Sequence, residues 1–308
     1  MHYPLITIVG GSGFVGRHTV KLLASQGYRL RILVRNTVAA EFLKTSGNVG
    51  QIAIEHVDIT RPETLAGKFA GSDAVISLVS ILYESGRQKF DAINVAGAKA
   101  VAEQAAKAGV KTLVHVSALG IDATKTTRYG ATKLAGEDAV REAFPAATFL
   151  RPSLVIGPED GFFQRFGRMS LVSPILPLIA GGKTKFQPLL VTDLAKAIAA
   201  AIHNHEAKGK TYEIAGPSIY SMRELLEMMG RITKRTSRFV SLPTCVAGVQ
   251  GFVCEQLPFT PMITRDQVKL LAHDNVLSPG ALALHDLGIA ASPIEGMLPA
   301  YLSRFVKV

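Results

Sequence analysis

Short β-branched runs separated by helical patterns constrain this chain more than any other feature. "LITIV" (5–9), "RLRILV" (29–34), "IAIEHV" (52–57), "AVISLV" (74–79), "TLVHVS" (112–117) and "TFLRPS" (148–153) read as strands by length and by their flanking turn residues. Helical periodicity fills the gaps between them, at 14–26, 61–70, 88–108 and 129–143. Alternation of this kind predicts an α/β fold, a doubly wound parallel sheet with right-handed crossovers and helices on both faces. Ligands of such sheets sit beyond the carboxyl ends of the strands, where the strand order reverses. Candidate functional residues should therefore gather at strand ends.

Past about residue 155 the alternation weakens. Helices are expected at 192–203, 221–234 and 264–273, punctuated by short strands around 188–191, 211–214 and 238–241. The expected division is a nucleotide-binding domain over 1–155, with segments around 185–215 returning to it, and a smaller C-terminal α/β lobe for substrate or partner over 156–308.

The formal net charge is +10, yet Lys and Arg are scattered without a basic block, which speaks against nucleic acid and for a phosphate-bearing ligand or an acidic surface. Cys245 and Cys254 can form neither a disulfide framework nor a zinc site, fit a reducing compartment, and read as small buried residues of one helix. No uncharged apolar run reaches the ~20 residues of a membrane span. The first strand begins so early that no cleavable leader is expected. These readings together favour a cytoplasmic location, with peripheral contact at the inner membrane as the other possibility.

The first strand runs into "GGSGFVG". Gly11, Gly13 and Gly16 fit G-x-G-x-x-G, and Gly10, Gly13 and Gly16 fit its G-x-x-G-x-x-G variant. Between a strand and a helix, such glycines permit a tight turn, let the backbone approach a pyrophosphate, and seat that anion on the helix N-terminus. The motif, in this context, predicts a dinucleotide. An NAD site would close the second strand with an acid about twenty residues on. Arg35 stands there instead, the nearest acid is Glu41, and Arg17 opens the first helix. Guanidinium forks pair phosphate bidentately, so NADP(H) is preferred and NAD(H) is the alternative. Asp58, closing the third strand, is placed to accept from an adenine amino group, or else to cap the following helix in competition with Thr60.

"RYGATKLAGE" sets Tyr129 and Lys133 four apart on one helix face. A nearby ammonium makes a phenol a usable proton donor or acceptor for carbonyl reduction coupled to hydride transfer. The alternative is a surface pair of no chemical consequence.

The glycine loop, "DIT", "INVAGAKAVAEQAAKAGVK", "VHVSALG", "RYGATKLAGE" and "LRPSLVIGPEDGFFQRF" together resemble an extended or atypical short-chain dehydrogenase/reductase of the epimerase/dehydratase type. "RPSLVIGPEDGFFQRF" and "LPFTPMITRDQVKLL" are similar, more narrowly, to the family of the nucleotide-binding accessory subunit of mitochondrial complex I and its bacterial relatives. The resemblance implies a Rossmann domain with a small C-terminal lobe. It implies that Gly10, Ser12, Gly13, Phe14 and Val15 hold the pyrophosphate, Arg35 the 2′-phosphate, and Asp58 with Ile59 the adenine. Leu78 and Val79 would line the ribose, Lys133 would hold its hydroxyls and Pro152 the nicotinamide. Tyr129 matches the catalytic tyrosine and Asn94 the helix asparagine. At the position of the usual catalytic serine stands Ala118, with Ser117 one residue short of it. Loss of one such donor can cost ~10²-fold in rate.

Segment 240–271 is rich in apolar residues and reads as a lid, a docking face or packing; Phe162, Phe163 and Phe166 pose the same choice with packing favoured. Three functions follow: an NADPH-dependent oxidoreductase on an apolar carbonyl or quinone-like small molecule, a nucleotide-holding accessory or assembly protein of a membrane redox complex, and a redox-state sensor.

Overall fold

The structure is a computed structural model that describes residues 4–256 and 263–307. Its first half lays down β1 (Leu5–Val9), α1 (Phe14–Ser25), β2 (Arg29–Val34), β3 (Ile52–His56), β4 (Ala74–Ser77), α2 (Ala98–Lys107), β5 (Thr112–Val116), α3 (Arg128–Ala143) and β6 (Thr148–Pro152). There follow β7 (Val155–Ile156), α4 (Gly161–Val172), β8 (Ile175–Ile179), β9 (Lys185–Phe186), β10 (Leu189–Leu190), α5 (Val191–His203), β11 (Thr211–Ile214), β12 (Tyr220–Ser221), α6 (Met222–Thr233), β13 (Arg238–Leu242), α7 (Thr244–Gln256), α8 (Arg265–Leu270) and α9 (Leu298–Leu302).

Side chains alternate across a strand, so a strand covered on both faces must feed two cores. Ile6 and Ile8 of β1, Ile32 of β2, Ile76 of β4, Val114 of β5 and Leu150 of β6 enter one core, which α1 closes with Val20 and Leu23 and α5 with Leu194 and Ile198. Val9, Leu33, Val75, Leu113 and Phe149 enter the other, beneath Val101 and Ala105 of α2 and Val140 of α3. The sheet has seven strands in the order β11-β6-β5-β4-β1-β2-β3, every pair parallel. This is a Rossmann-type α/β fold, and strand order reverses between β1 and β4.

Two expected helices come out differently. Over 61–70 only the 3₁₀ turn Pro62–Leu65 forms, since Gly67 at φ +73° breaks off the helix. The run 88–108 opens as a π-helical turn, Asp91–Gly97, before α2.

The lobe has its own core, where Phe163, Leu176, Leu225, Leu298 and Phe305 meet, with Phe162 and Phe166 packed against it; the three phenylalanines are packing residues. Buried Asp160 caps α4 through the Phe163 amide at 2.6 Å and accepts from the Tyr301 hydroxyl at 2.5 Å. Cys245 lies exposed and Cys254 half-buried on α7, against the expectation of two buried residues, because α7 packs inward through Ala247 and leaves much of its surface open. Residues 257–262, part of the expected 240–271 segment, lie outside the described residues.

Gly136 lets α3 lie directly on the π-turn: a Cβ there would stand 2.0 Å from the Asn94 carbonyl oxygen. Gly136→Ala should therefore force the two helices apart and lower stability by about 1–3 kcal/mol, read as a reduced urea midpoint at unchanged slope.

Candidate functional site

Because β1, β2, β3, β4, β5 and β6 are parallel, Gly10, Arg35, Asp58, Leu78, Ser117 and Pro152 all fall at or just beyond one edge of the sheet. Gly10 turns the chain at φ +86°, which L side chains rarely adopt, and a Cβ there would press on Val79 Cγ2 at 2.9 Å. A Cβ on Gly16 would meet the Gly10 carbonyl oxygen and Gly11 Cα at 2.6 Å, so α1 descends onto the loop with nothing between. Gly13 is the N-cap of α1; no side chain caps this end and no acid lies in its first turn. Unopposed amides and the positive end of the helix dipole thus face the loop, the environment an anion seeks. A Cβ on Gly13 would meet nothing nearer than the Gly10 oxygen at 3.4 Å.

Arg35 is exposed, and its backbone carbonyl accepts from His56 Nδ1 at 2.9 Å. Burial pushes the Asp58 carboxyl up, but hydrogen bonds from the Thr60 hydroxyl and amide, with the charges of Arg35 and Arg61, outweigh it and hold it below the usual carboxylate range. Thr60 therefore binds Asp58 rather than replacing it: its amide and hydroxyl reach one carboxylate oxygen at 3.0 and 2.8 Å. Ile59 is buried beside them. Arg17 turns toward the protein. It stacks over Phe42 at 5.0 Å, pairs with Glu159 at 3.5 Å and donates to the Ser12 carbonyl at 3.3 Å, while its Nε is buried without a partner. Glu41 is taken by Lys44 at 2.6 Å.

The second cluster centres on α3. Lys133 is 2% exposed and its ammonium donates to the Val116 carbonyl at 3.3 Å. Burial pulls its pKa down to about 8, against the opposing pull of Glu137. Glu137 itself is held by Arg151 through bonds of 2.9 and 2.7 Å, so it serves as a distant counter-charge rather than a partner. An ammonium has three N–H donors, and one carbonyl leaves two of them for something else. On β5, His115 is forced neutral, pushed down to about 3 by burial and by the charge of Lys133, and its Nδ1 has no partner. The Ser117 hydroxyl, two residues on, is buried and also unpartnered, while Ala118 is half-buried.

Burial pushes the Tyr129 phenol up to about 12, with a hydrogen bond from Ser80 working the other way. The ring packs edge-on against Phe90 at 6.1 Å. The Ser80 hydroxyl lies 3.4 Å from Asn94 Oδ1, and Asn94 Nδ2 donates to Thr132 Oγ1 at 3.2 Å. Asn94 thus stands in the π-turn, braced between the β4 loop and α3. Ser80, one residue beyond the predicted strand, is the tyrosine's partner that sequence reasoning passed over; it has no motif around it. Asp266 was equally invisible: from α8 it accepts the Arg128 and Tyr129 amides at 3.0 and 2.7 Å. Thr127, the N-cap of α3, accepts from Gly130 at 2.9 Å. Among the described residues no group of three potential metal ligands forms.

The family model of the NAD dependent epimerase/dehydratase family matches residues 6–215. Subunit 9 of the alpha subcomplex of mitochondrial NADH dehydrogenase [ubiquinone] 1 from Arabidopsis thaliana is 32% identical over 312 residues, covering 98% of this chain and 78% of that protein. A ceramide reductase of Caulobacter vibrioides is 34% identical over 180 residues, 57% of this chain and 54% of its own length. Among solved structures, the triphenylmethane reductase of Citrobacter sp. complexed with NADP(H) superposes with a TM-score of 0.74 at 20% identity, over 96% of this chain and 99% of that one, and so shares the fold.

Lys133 also leaves a signature in the free protein. Its folded pKa lies below its ordinary value of 10.5, so between about pH 8 and 10.5 the unfolded chain binds the extra proton and stability rises with pH. The penalty is fully present below about pH 8. Chemical denaturation across this range should show that rise in the parent protein and lose it in Lys133→Met.

Proposed function

The chain belongs to the NAD dependent epimerase/dehydratase family, and from that premise we propose that it is an NADP(H)-binding reductase in which Tyr129 gives a proton to an apolar carbonyl or quinone-like small molecule. The observation that carries this reading is that one face of α3 carries both a phenol held protonated and a buried ammonium without a carboxylate partner among the described residues; burial and Ser80 set the phenol's pKa, and Lys133 does not lower it as the four-residue spacing led one to expect. The family is NAD(P)-dependent; the preference for NADP(H) rests on Arg35 in the place of a ribose-binding acid.

In this reading residues 1–155, with 185–215, form the nucleotide-binding domain, and the remainder of 156–308 serves substrate or partner. The Gly10, Gly11, Ser12, Gly13, Phe14, Val15 and Gly16 loop receives the pyrophosphate on the open end of α1. Arg35 takes the 2′-phosphate, Asp58 and Ile59 the adenine, and Leu78, Val79 and Pro152 line the ribose and nicotinamide. Lys133 spends its two remaining N–H donors on ribose hydroxyls. The bound nicotinamide supplies the hydride. Tyr129 supplies the proton: a phenol pushed up to about 12 stays protonated at neutral pH but is a weak acid, and it gives the proton up because the oxygen of a carbonyl that has received hydride is a stronger base still. Ser80 is exposed and hydrogen-bonded to the phenol, so it offers a path for reprotonation from water, with Asn94 behind it. The unpartnered Ser117 hydroxyl is the remaining donor for the substrate oxygen.

A second reading is favoured by the likeness to the mitochondrial subunit over 98% of this chain: the nucleotide is held as a brace and the protein serves a membrane redox complex. Binding alone can do this, since a ligand at 100 times its dissociation constant adds about 2.7 kcal/mol. Among the described residues no helix is long and apolar enough to cross a membrane, so contact in that reading is peripheral.

Stopped-flow fluorescence of NADPH binding and chase separates the two: release within seconds fits turnover, and release over hours fits the brace. Arg35→Asp should shift preference from NADPH toward NADH by about tenfold or more, measured as the ratio of dissociation constants. An unchanged ratio removes the 2′-phosphate assignment. Tyr129→Phe should lower reductase turnover by about 10²-fold or more and leave NADPH affinity in place; turnover that survives takes the proton-donor role from Tyr129.

A further inference from the structure

Arg17 follows Gly16 directly, and its guanidinium lies on the side of the glycine loop nearest the end of β2. What fixes it there is Phe42, whose ring it covers at 5.0 Å, on the 3₁₀ stretch Val38–Ser46 that begins three residues after Arg35. A dinucleotide with its pyrophosphate on the loop and its 2′-phosphate on Arg35 would run past this guanidinium.

The contacts Arg17 has are long ones. Hydrogen bonds between charged groups close to about 2.7–2.9 Å, and a guanidinium offers five N–H donors in a planar fork. Here Nη1 stands 3.5 Å from the Glu159 carboxylate, Nη2 donates to the Ser12 carbonyl at 3.3 Å, and Nε is buried without a partner. A fork so poorly matched has room for oxygens that fit it better, and phosphate oxygens do.

Glu159 comes from the other part of the molecule, the "GPEDG" loop that opens α4. This loop does not need Arg17 to hold it. The Pro158 carbonyl accepts from Arg304 at 2.9 Å and from Gln164 at 2.6 Å, and Asp160 is held by the Phe163 amide and the Tyr301 hydroxyl. Glu159 also has a second partner, His18, whose Nε2 lies 3.1 Å from its other oxygen. The carboxylate is thus fixed beside Arg17 by contacts made elsewhere, and the partly exposed pair it forms there stabilises little.

We propose that Glu159 sets the discrimination between NADPH and NADH by competing with the cofactor's 2′-phosphate for Arg17, the second arm of a clamp whose first arm is Arg35. This role rests on the reading of the strand edge as an NADP(H) site. On binding of NADPH, Arg17 passes from the Glu159 carboxylate to the phosphate, and Glu159 keeps His18. NADH, which ends there in a hydroxyl, leaves the pair in place.

The test measures dissociation constants of NADPH and NADH by nucleotide fluorescence for the parent, Glu159→Gln, Arg17→Met and the double variant. Salt is kept near 0.15 M, so that direct repulsion between separated surface charges is screened. Glutamine keeps the shape of the side chain and removes its charge. Glu159→Gln should tighten NADPH by about threefold and leave NADH as it was, the size expected of a partly exposed pair. Arg17→Met should weaken NADPH by about fivefold or more, and in that background Glu159→Gln should change nothing, since coupled residues lose their effect together. A cooperative urea transition shows that each variant is folded, and Arg17→Lys, which keeps the charge without the fork, replaces Arg17→Met where that variant lacks one. A ratio of constants unmoved or lowered by Glu159→Gln, a gain shared equally by NADH, or a gain that persists in full without Arg17 each overturns the role of Glu159. If the parent prefers NADPH in those cases, the nucleotide reading survives and only Glu159 loses its part; a parent that binds neither nucleotide removes both.

Discussion

The close approach of α1 to the loop that precedes it is the constraint on which the site depends. A single methyl on Gly16 would fall 2.6 Å from backbone atoms of Gly10 and Gly11, and one on Gly11 would fall 2.7 Å from Ile32 of the neighbouring strand. No side chain can occupy those gaps, so the first turn of α1 comes down where β1 ends. Parallel pairing does the rest, because every strand hydrogen-bonded around β1 then finishes at the same edge. The anion site is in this sense a property of the backbone. In the proposed reading its side chains tune which anion it takes, and Arg35, in the place of a ribose-binding acid, is the clearest instance.

Charge is distributed unevenly across the floor of the site. Arg151 and Glu137 form a bidentate pair, and Arg151 also reaches Asp122 at 2.5 Å, so burial of Glu137 is compensated in full. Lys133, one helical turn from Glu137, has no such compensation and meets a carbonyl and a neutral histidine. Burying an ammonium on those terms costs free energy that a stable core would avoid. Groups perturbed mainly by desolvation collect where a ligand completes the electrostatics. The unpartnered Ser117 hydroxyl, just past the end of β5, belongs to the same pattern.

The strands and their edge were legible because β-branched runs have a short period and glycines at fixed offsets have one main use. Tyr129 and Lys133 were legible because four residues on a helix is a geometric relation the sequence carries. What was illegible shares a cause. Ser80 follows β4 in a loop without periodicity, and a lone serine there has no distinguishing neighbour. The π-turn at Asn94 arises from its packing under Gly136, a contact between residues 42 positions apart in "NVAGAKA" and "KLAGEDA" that no local rule connects. The helix expected at 61–70 failed for the opposite reason: its apolar spacing was adequate, but a glycine in the left-handed region ended it early.

Asp266 shows how far such non-local control extends. It lies 137 residues along the chain from Tyr129, yet both its oxygens accept from amides at the start of α3. A carboxylate at a helix N-terminus satisfies donors that have no partner within the helix and opposes the positive end of the dipole. Thr127 caps the same turn, so Asp266 adds to an end already closed locally; its effect is to set where that end sits relative to the lobe. The phenol rides on that turn. Any displacement of α8 is then felt by the backbone of Tyr129, so the position of the phenol becomes a function of how the lobe is seated. In the proposed reading a sheet edge alone can cradle a dinucleotide, but aligning a proton donor with a second molecule requires the lobe, and the Asp266 carboxylate ties the lobe to the turn that carries Tyr129.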